Sequence, residues 1–366
     1  MDEQGGRTDE PRAAAAVAAA AATARREGRR LLARGAGLRL DPAAAATARV
    51  VDMRPYNRVV RWTPEDLVAQ VEAGATVAEV NRILADAGQW IPAGLPDGGD
   101  DTLGGLLAAG LDGFWRTGFG PLRERVLALT VWTPAFGVVR VGAPVVKNVA
   151  GYNLPRLYCG SLGAFGVILD VTLKLAPRPA VAAVWERGLS GPEEAEPAAT
   201  AFEAAGRPWA ALLVTGDARA VRLTAVWTGS RAAAARLADR LGAPQRTTWD
   251  ALAPELAAPA EGFARFAGAV PRARAGELFR SVVRHGGWAA VDWSSGGFWA
   301  LVAEAAGRPW TEAVRALGGG VRPWRRPAVA GAGEGAGRPG LVRLKQAVDP
   351  DGVLTPLDAE EVGVHG

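Results

Sequence analysis

Runs of alternating apolar and polar residues mark strands along much of the chain. Residues 50–53 and 57–62 alternate in this way, as half-buried strands do when successive side chains face opposite sides. Residues 68–74 alternate as well and stop at Gly74. Thr63-Pro-Glu-Asp66, just before them, carries helix-start chemistry, so strand and helix compete there. Residues 126–133 and 138–141 predict a hairpin turning at Pro134-Ala-Phe-Gly137. A longer alternating run covers 167–175. Helical spacing appears at Thr76-Val-Ala-Glu79, a capping box followed by Val80, Ile83 and Leu84, and it predicts a helix over 77–87. The alanine-rich, then arginine-rich stretch 13–32 reads as a helix whose end, Leu31-Leu32, feeds Ala33-Arg-Gly-Ala-Gly37. A short strand entering that Gly-x-Gly turn would let backbone N–H groups converge on an anion, although an ordinary turn has the same sequence signature.

The second half mixes both periods. Strands are expected at 210–215, 220–228, 288–293 and 297–303, and helices at 231–241, 279–284 and 311–317. A strand–helix–strand order occurring twice suggests a ferredoxin-like α+β sandwich. No internal sequence repeat is visible. The break at Ala176-Pro-Arg-Pro179, followed by the acidic, Pro-rich Gly191-Pro-Glu-Glu-Ala-Glu-Pro197, is the best domain boundary. The expected division is a disordered terminus at 1–12, a first domain at 13–179, a linker at 180–198 and a second α+β domain at 199–330. A glycine-dense flexible loop at 331–340 and a C-terminal segment at 341–366 would follow.

One segment points to chemistry. Residues 145–168 read VVKNVAGYNLPRLYCGSLGAFGVI, with Gly160, Gly163 and Gly166 every third residue before the 167–175 strand. Glycines so placed let the backbone approach something flat or charged where a Cβ would collide. Asp101-Thr-Leu-Gly-Gly-Leu-Leu-Ala-Ala-Gly110 is a second segment of this kind.

Composition narrows the partners. The formal charge is +4, but only Lys147, Lys174 and Lys345 are lysines, and the arginines are scattered along the length. The densest basic knot, Arg322-Pro-Trp-Arg-Arg-Pro327, is too short to track a phosphate backbone, so nucleic-acid binding is not expected. Cys159 is the single cysteine. It cannot form a disulfide within the chain or build an iron–sulfur or thiolate zinc site alone, and a reducing, cytoplasmic setting fits. The N-terminus lacks a basic stretch, and the run 13–22 is too short and weakly apolar to be a secretory signal or a membrane span. Membrane contact is therefore expected only through partners, at most peripherally at the inner face.

Taken in order, Gly35-Ala-Gly37, Glu72-Ala-Gly74, Thr102-Leu-Gly-Gly105, Lys147-Asn-Val-Ala-Gly-Tyr-Asn-Leu154 and Gly160-Ser-Leu-Gly-Ala-Phe-Gly-Val-Ile168 resemble the FAD-binding domain of the vanillyl-alcohol oxidase, or PCMH-type, flavoproteins. Within that family the chain is most similar to the FAD-binding (E) subunits of bacterial glycolate oxidase, also called glycolate dehydrogenase. Leu344-Lys-Gln-Ala-Val-Asp-Pro-Asp-Gly-Val-Leu-Thr-Pro356 looks like the tail that returns to the flavin domain. The resemblance implies an α+β fold: a PCMH-type domain of two α+β subdomains holding FAD, and a C-terminal ferredoxin-like cap domain.

It implies Gly35, Ala36, Gly37 and Leu38 at the pyrophosphate, and Thr102, Gly104 and Gly105 along the ribityl or adenylate part. Ser161, Gly163, Gly166 and Ile168 would approach the flavin and adenine edges, with Gly151 and Tyr152 also at the cofactor. Leu38 and Arg39 stand where the family usually places a hydroxyl residue, and Thr355-Pro356-Leu357 replaces its Asn-Pro-Gly. No histidine lies between residues 1 and 284, so the histidine–flavin linkage of some relatives is impossible in this domain and FAD is expected to be non-covalent.

Oxidation of a small 2-hydroxy acid needs a base, a cation for the carboxylate and a hydride acceptor. The chain offers His285 and His365. His285 sits at an expected helix end, where capping is the plainer role, and His365 is penultimate. Tyr152 and Arg116 are hydrogen-bond and anion-binding candidates, with aromatic packing and a surface salt bridge as their plainer alternatives. Cys159 reads as a small buried hydrophobe. No metal site is expected, and no catalytic base is assigned.

The family resemblance supplies a division of labour: a sister flavoprotein subunit with a richer substrate site and an iron–sulfur subunit as electron acceptor. Two alternatives stand beside it: a self-sufficient FAD-dependent oxidoreductase acting on another substrate, and an assembly subunit that has lost its cofactor.

Overall fold

In a computed structural model, residues 11–38, 40, 42–93, 101–143, 153–179, 181–206, 209–242, 263–323 and 339–356 are described. Helix α1 (Ala14–Arg26), strand β1 (Leu31–Arg34), helix α2 (Pro42–Thr47) and strand β2 (Arg49–Asp52) come first. β1 and β2 pair in parallel, and Val17, Ala21 and Ala24 of α1 share a small core with Leu31, Val51 and Met53. The helix expected to reach residue 32 ends at Arg26, because Gly28 turns into the left-handed region at φ +62°. Leu31 is then drawn into an extended pairing, its N–H donating to the Val353 carbonyl at 2.8 Å. Arg12, expected in a disordered terminus, is held by Glu72 at 3.0 Å.

The first half continues with β3 (Val59–Thr63), β4 (Val68–Glu72), α3 (Val77–Leu84), β5 (Gln89–Trp90), α4 (Leu103–Ala109) and α5 (Arg116–Phe119). It closes with β6 (Val126–Thr133), β7 (Gly137–Gly142), α6 (Pro155–Tyr158), β8 (Val167–Lys174) and β9 (Ala176–Pro177). Five strands form an antiparallel sheet in the order β3-β4-β8-β6-β7, and β5 pairs with β9.

The competition at 68–74 is decided for strand, since β4 is paired on both sides and Thr63-Pro-Glu-Asp66 closes only a 3-10 turn. The capping box of α3 forms as expected, with Thr76 Oγ1 accepting from the Glu79 N–H at 3.2 Å. One face of the sheet, with Ala69, Val71, Leu129, Val131, Val171 and Leu173, packs into the main core with α3 and α4. On the other face Asp170 accepts from Gln70 Nε2 and Thr130 Oγ1, both at 2.9 Å, and burial pushes its carboxyl pKa up.

The second half runs β10 (Val181–Leu189), α7 (Ala195–Ala205), β11 (Ala211–Gly216), β12 (Val221–Gly229) and α8 (Arg231–Leu241). Then come β13 (Phe263–Ala269), α9 (Ala275–Arg284), β14 (Trp288–Asp292), β15 (Gly297–Ala303), α10 (Gly307–Ala316) and β16 (Gly320–Pro323). All seven strands share one antiparallel sheet in the order β10-β12-β11-β14-β15-β13-β16. Numbered within each half, that order is 1-3-2 followed by 2-3-1-4. The chain thus repeats a β-α-β-β-α unit whose sequence gives no repeat.

Residues 181–189 were expected in a linker. They form β10 instead, an edge strand paired along its whole length with β12. Strands β13 and β16 escaped the hydrophobic pattern because β13 is rich in alanine and glycine and β16 is only four residues long; a Cβ on Gly268 would lie 2.0 Å from the Gly320 carbonyl.

The seven-stranded sheet uses both faces, as its period of two requires. Trp185, Leu212, Val214, Leu223 and Ala225 join the helices in a second core. Val184, Leu213, Val226, Ala290 and Trp299 belong to the main core of the first half. At this seam Gly118 of α5 donates its N–H to the Ala210 carbonyl at 3.1 Å, and the Thr117 hydroxyl donates to the Asp292 carboxylate. Asp292 is 1% exposed and also accepts from Ser295 Oγ at 2.6 Å; burial pushes its pKa up. Helix α11 (Pro339–Val348) and the segment after it then return to the first half.

Candidate cofactor site

The loop after β1, the start of α4, the loop 160–166 before β8 and the returning tail line a cleft of about 1000 Å³, a volume that counts the open solvent at its mouth. Gly35, Ala36, Gly37, Leu38, Thr102, Gly104, Gly105, Ser161, Gly163, Gly166 and Ile168 all line it. The structure therefore brings together residues separated by 130 positions and more. Gly151 and Tyr152 lie outside the described residues, as do Lys147–Ala150, the loop 331–338 and His365.

The glycines do not all serve one purpose. A Cβ on Gly35 would lie 2.0 Å from Thr102 Oγ1, one on Gly104 would lie 2.8 Å from the Ala73 Cβ, and one on Gly166 would lie 2.8 Å from the Trp132 carbonyl. These three are required by the protein's own packing. Gly105 and Gly163 differ: apart from Thr102 Oγ1 at 3.0 Å, and Thr355 Oγ1 and the Gly166 carbonyl at 3.8 and 3.9 Å, nothing stands where their Cβ would be. Gly163 also has φ +81°, which excludes most side chains. A side chain at either place would project into the cavity, so the space left by them suits a ligand.

The polar side chains expected to meet the ligand are partly committed elsewhere. Thr102 Oγ1 caps α4 by accepting from the Gly105 N–H at 3.3 Å, and the Ser161 hydroxyl donates to the Tyr158 carbonyl at 2.9 Å. The 160–166 loop is pinned to α4 by Gly160 N–H to Leu107 and Leu162 N–H to Ala108, both at 2.8 Å. Leu162 holds φ +53°, an uncommon conformation for a leucine, at the cavity wall.

Sequence reasoning missed the apolar floor formed by Leu31, Leu32, Ala33, Met53 and Ala73; the returning tail was expected, and the structure puts its Leu354 and Thr355 in the lining. Asp101, the first residue of the second close-approach segment but not expected at the ligand, is the one titratable side chain among the described lining residues. The floor was unreadable because those positions look like ordinary core.

The other candidates lie away from the cavity lining. His285 caps the end of α9, its Nδ1 2.7 Å from the Ser281 carbonyl. Arg116 is paired with Asp112 at 2.7 Å, and Arg123 approaches the same carboxylate at 3.7 Å. Burial pushes the Cys159 thiol up to about 12, which disfavours the reactive thiolate. Among the described residues no three histidine, cysteine or carboxylate side chains gather as a metal site, and no helix is long and apolar enough to cross a membrane.

Residues 8–142 match a family described as FAD binding domain. This stretch is similar to FAD-binding domains. The chain is similar to glycolate oxidase subunit GlcE of Escherichia coli (strain K12), 36% identical over 145 residues, which are 39% of this chain and 41% of that protein. It is also similar to the mitochondrial cytochrome-type D-lactate dehydrogenase of Arabidopsis thaliana, 35% identical over 129 residues, or 35% of this chain and 22% of that one. Glycolate oxidase subunit GlcD of Bacillus subtilis (strain 168) is 28% identical over 151 residues, 32% of its length. The chain thus spans well under half of these curated relatives.

A solved alkyldihydroxyacetonephosphate synthase superposes over 93% of this chain and 75% of its own, with a TM-score of 0.66 at 15% identity. That likeness is one of fold: the α+β PCMH-type FAD-binding fold. The cavity suits an FAD-binding domain, because a dinucleotide needs backbone donors at its pyrophosphate and smooth apolar slots for its rings. The Gly35–Leu38 turn and the Leu31–Ala33, Met53 and Ile168 surfaces supply the two.

Proposed function

We propose that this chain is the FAD-binding component of a glycolate-type, 2-hydroxy acid dehydrogenase, holding FAD non-covalently and relaying electrons within a multisubunit complex. One observation carries the reading: Gly35–Leu38, Thr102–Gly105 and Ser161–Ile168 converge on one cavity with a backbone-rich, apolar lining. Its relatives include subunits of glycolate oxidase and D-lactate dehydrogenases. When bound, FAD supplies the hydride acceptor. The chain's own part is to seat it: the 35–38 turn at the pyrophosphate, Gly105 and Gly163 as the cleared surface, and Ile168 and Leu31 against flat apolar parts.

Among the described lining residues none is a histidine, lysine or arginine. The described cavity therefore binds a cofactor without offering a base and a cation for a hydroxy acid, which supports a sister flavoprotein subunit as the bearer of the substrate site and an iron–sulfur subunit as acceptor. The seven-stranded sheet, joined to the FAD-binding domain through Thr117 and Asp292, is the cap of this arrangement.

The test is the visible spectrum of the purified chain, then acid precipitation, then dye reduction with glycolate. Flavin bands, colour released to the supernatant, and reduction only with sister subunits present are expected. A colourless chain that takes up no added FAD would favour an assembly subunit. Turnover by the isolated chain would favour a self-sufficient enzyme.

A further inference from the structure

The cavity has one wall that no glycine motif supplies. Leu354 and Thr355, from the far C-terminal end of the described chain, line it beside Gly163. What holds them there is Lys345 on α11. Its ammonium donates to the Ala164 carbonyl at 2.8 Å, the Thr355 carbonyl at 2.8 Å and Asp349 Oδ2 at 2.6 Å. Three N–H donors thus meet three acceptors that converge from two walls of the cavity and from the tail's own turn.

Asp349, whose side chain is fully buried, passes the constraint on. Its two oxygens accept from the Val353 and Leu354 N–H groups, each at 2.9 Å. That fixes the turn from which the Val353 carbonyl reaches the Leu31 N–H at 2.8 Å, at the start of β1. In a chain with only three lysines among 42 basic residues, the compact ammonium stands where a planar guanidinium could not satisfy three convergent acceptors.

We infer that the Lys345–Asp349 pair is a clamp that seats the C-terminal tail as a wall of the FAD site, making Lys345 a positioning residue for cofactor retention. The inference rests on FAD as the cavity's occupant. Because coupling between two binding events is reciprocal, FAD must tighten the tail by the factor by which the clamp tightens FAD.

The experiment titrates cofactor-stripped full-length chain with FAD, for wild type, Lys345→Met, Lys345→Arg, Asp349→Asn and Arg25→Ala. The last breaks only the exposed Arg25–Asp351 pair on the tail's outer side. Hydrogen exchange of residues 349–356 is followed with and without FAD. Expected are a tenfold or greater rise in Kd for Lys345→Met, with unchanged far-ultraviolet circular dichroism, little rescue by Lys345→Arg, a smaller rise for Asp349→Asn, and none for Arg25→Ala. FAD should slow exchange in 349–356 of the wild type. A wild-type Kd in Lys345→Met and Asp349→Asn overturns the inference while leaving the cofactor reading intact. A wild type that binds no FAD overturns both. If the variants do not fold, wild-type exchange in 349–356 that is indifferent to FAD overturns it.

Discussion

Gly35→Ala separates two reasons for a glycine in a cofactor loop. An added methyl would lie 2.0 Å from Thr102 Oγ1, 3.0 Å from its Cβ and 3.1 Å from its Cγ2. No carbon can sit 2.0 Å from a hydroxyl oxygen, so either Thr102 rotates or the 35–38 turn moves. Rotation removes the α4 cap, in which the Gly105 N–H donates to Oγ1 at 3.3 Å, and a lost N-cap costs about 1 kcal/mol. Overpacking of the displaced atoms adds about 1–3 kcal/mol. Gly35→Ala should therefore destabilise the cofactor-free protein by about 2–4 kcal/mol, and Thr102→Ala by about 1 kcal/mol through the cap alone.

The double variant is the decisive one. With Thr102 cut back to alanine, Oγ1 and Cγ2 are gone and only a Cβ at 3.0 Å remains. Adding Gly35→Ala should then cost well under about 1 kcal/mol, a coupling of about 1–2 kcal/mol in a double-mutant cycle. Urea unfolding of the four cofactor-free proteins measures it. FAD titration of the same proteins should give the double variant nearly the affinity of Thr102→Ala. Additive destabilisation, or a tenfold weaker Kd in the double variant than in Thr102→Ala, would refute the reasoning and make Gly35 a residue that the ligand itself requires.

Gly166→Ala drives a methyl to 2.8 Å from the Trp132 carbonyl, so it should lower the unfolding midpoint of the cofactor-free protein. Gly163→Ala meets open space but a left-handed backbone, so it should cost only about 1–2 kcal/mol while weakening FAD binding; equal effects of the two on stability would contradict the assignment. Burial raises the Asp170 carboxyl above its ordinary 3.8, so the native state keeps a proton that the unfolded chain has released. Its stabilising contribution is complete below pH 3.8 and lost as pH rises through the folded value. Asp170→Asn, which keeps an acceptor for Gln70 and Thr130, should thus gain on the wild type in thermal midpoint between pH 4 and pH 7, and a gap that narrows over that range counts against it. Cys159, its thiol pushed up to about 12, should resist disulfide-exchange reagents at pH 8 until the protein is unfolded; rapid native labelling would show the thiol to be open.

Legibility followed the range of the forces involved. Local signals were reliable: the Thr76–Glu79 capping box and the β6–β7 hairpin formed where the residues asked for them. What failed depended on distant partners. Beyond the turn at Gly28 that ends helix α1, Leu31 became extended because it had Val353 and Arg49 to pair with, and β10 appeared inside an acidic, Pro-flanked stretch because β12 offered it nine partners in register. For the site, the glycines located the cavity, yet they could not say which were cleared for a ligand and which for Thr102, Ala73 or Trp132. That distinction needs coordinates, since glycine leaves the same mark in both cases. The tail wall was half visible as a returning segment, but Lys345 reads in sequence as one more solvated cation.

The shared core constrains how the cofactor can enter. Val184, Leu213, Val226, Ala290 and Trp299 of the seven-stranded sheet are buried in the same cluster as Leu107 and Trp115 of the first half. Parting the halves would return these side chains to water at about 1.5–3 kcal/mol for each large one, and would also strip Thr117 and Ala210 of their bonds across the seam. The sum approaches the whole stability of a typical domain, about 5–15 kcal/mol. The second half therefore does not swing away as a lid while the native state persists. Exchange of a dinucleotide has to use the segments that border the cavity without carrying that core. The 35–38 turn and the tail beyond Asp349 are such segments, and the tail is held at its buried side by the Lys345–Asp349 pair and at its exposed side by Arg25–Asp351.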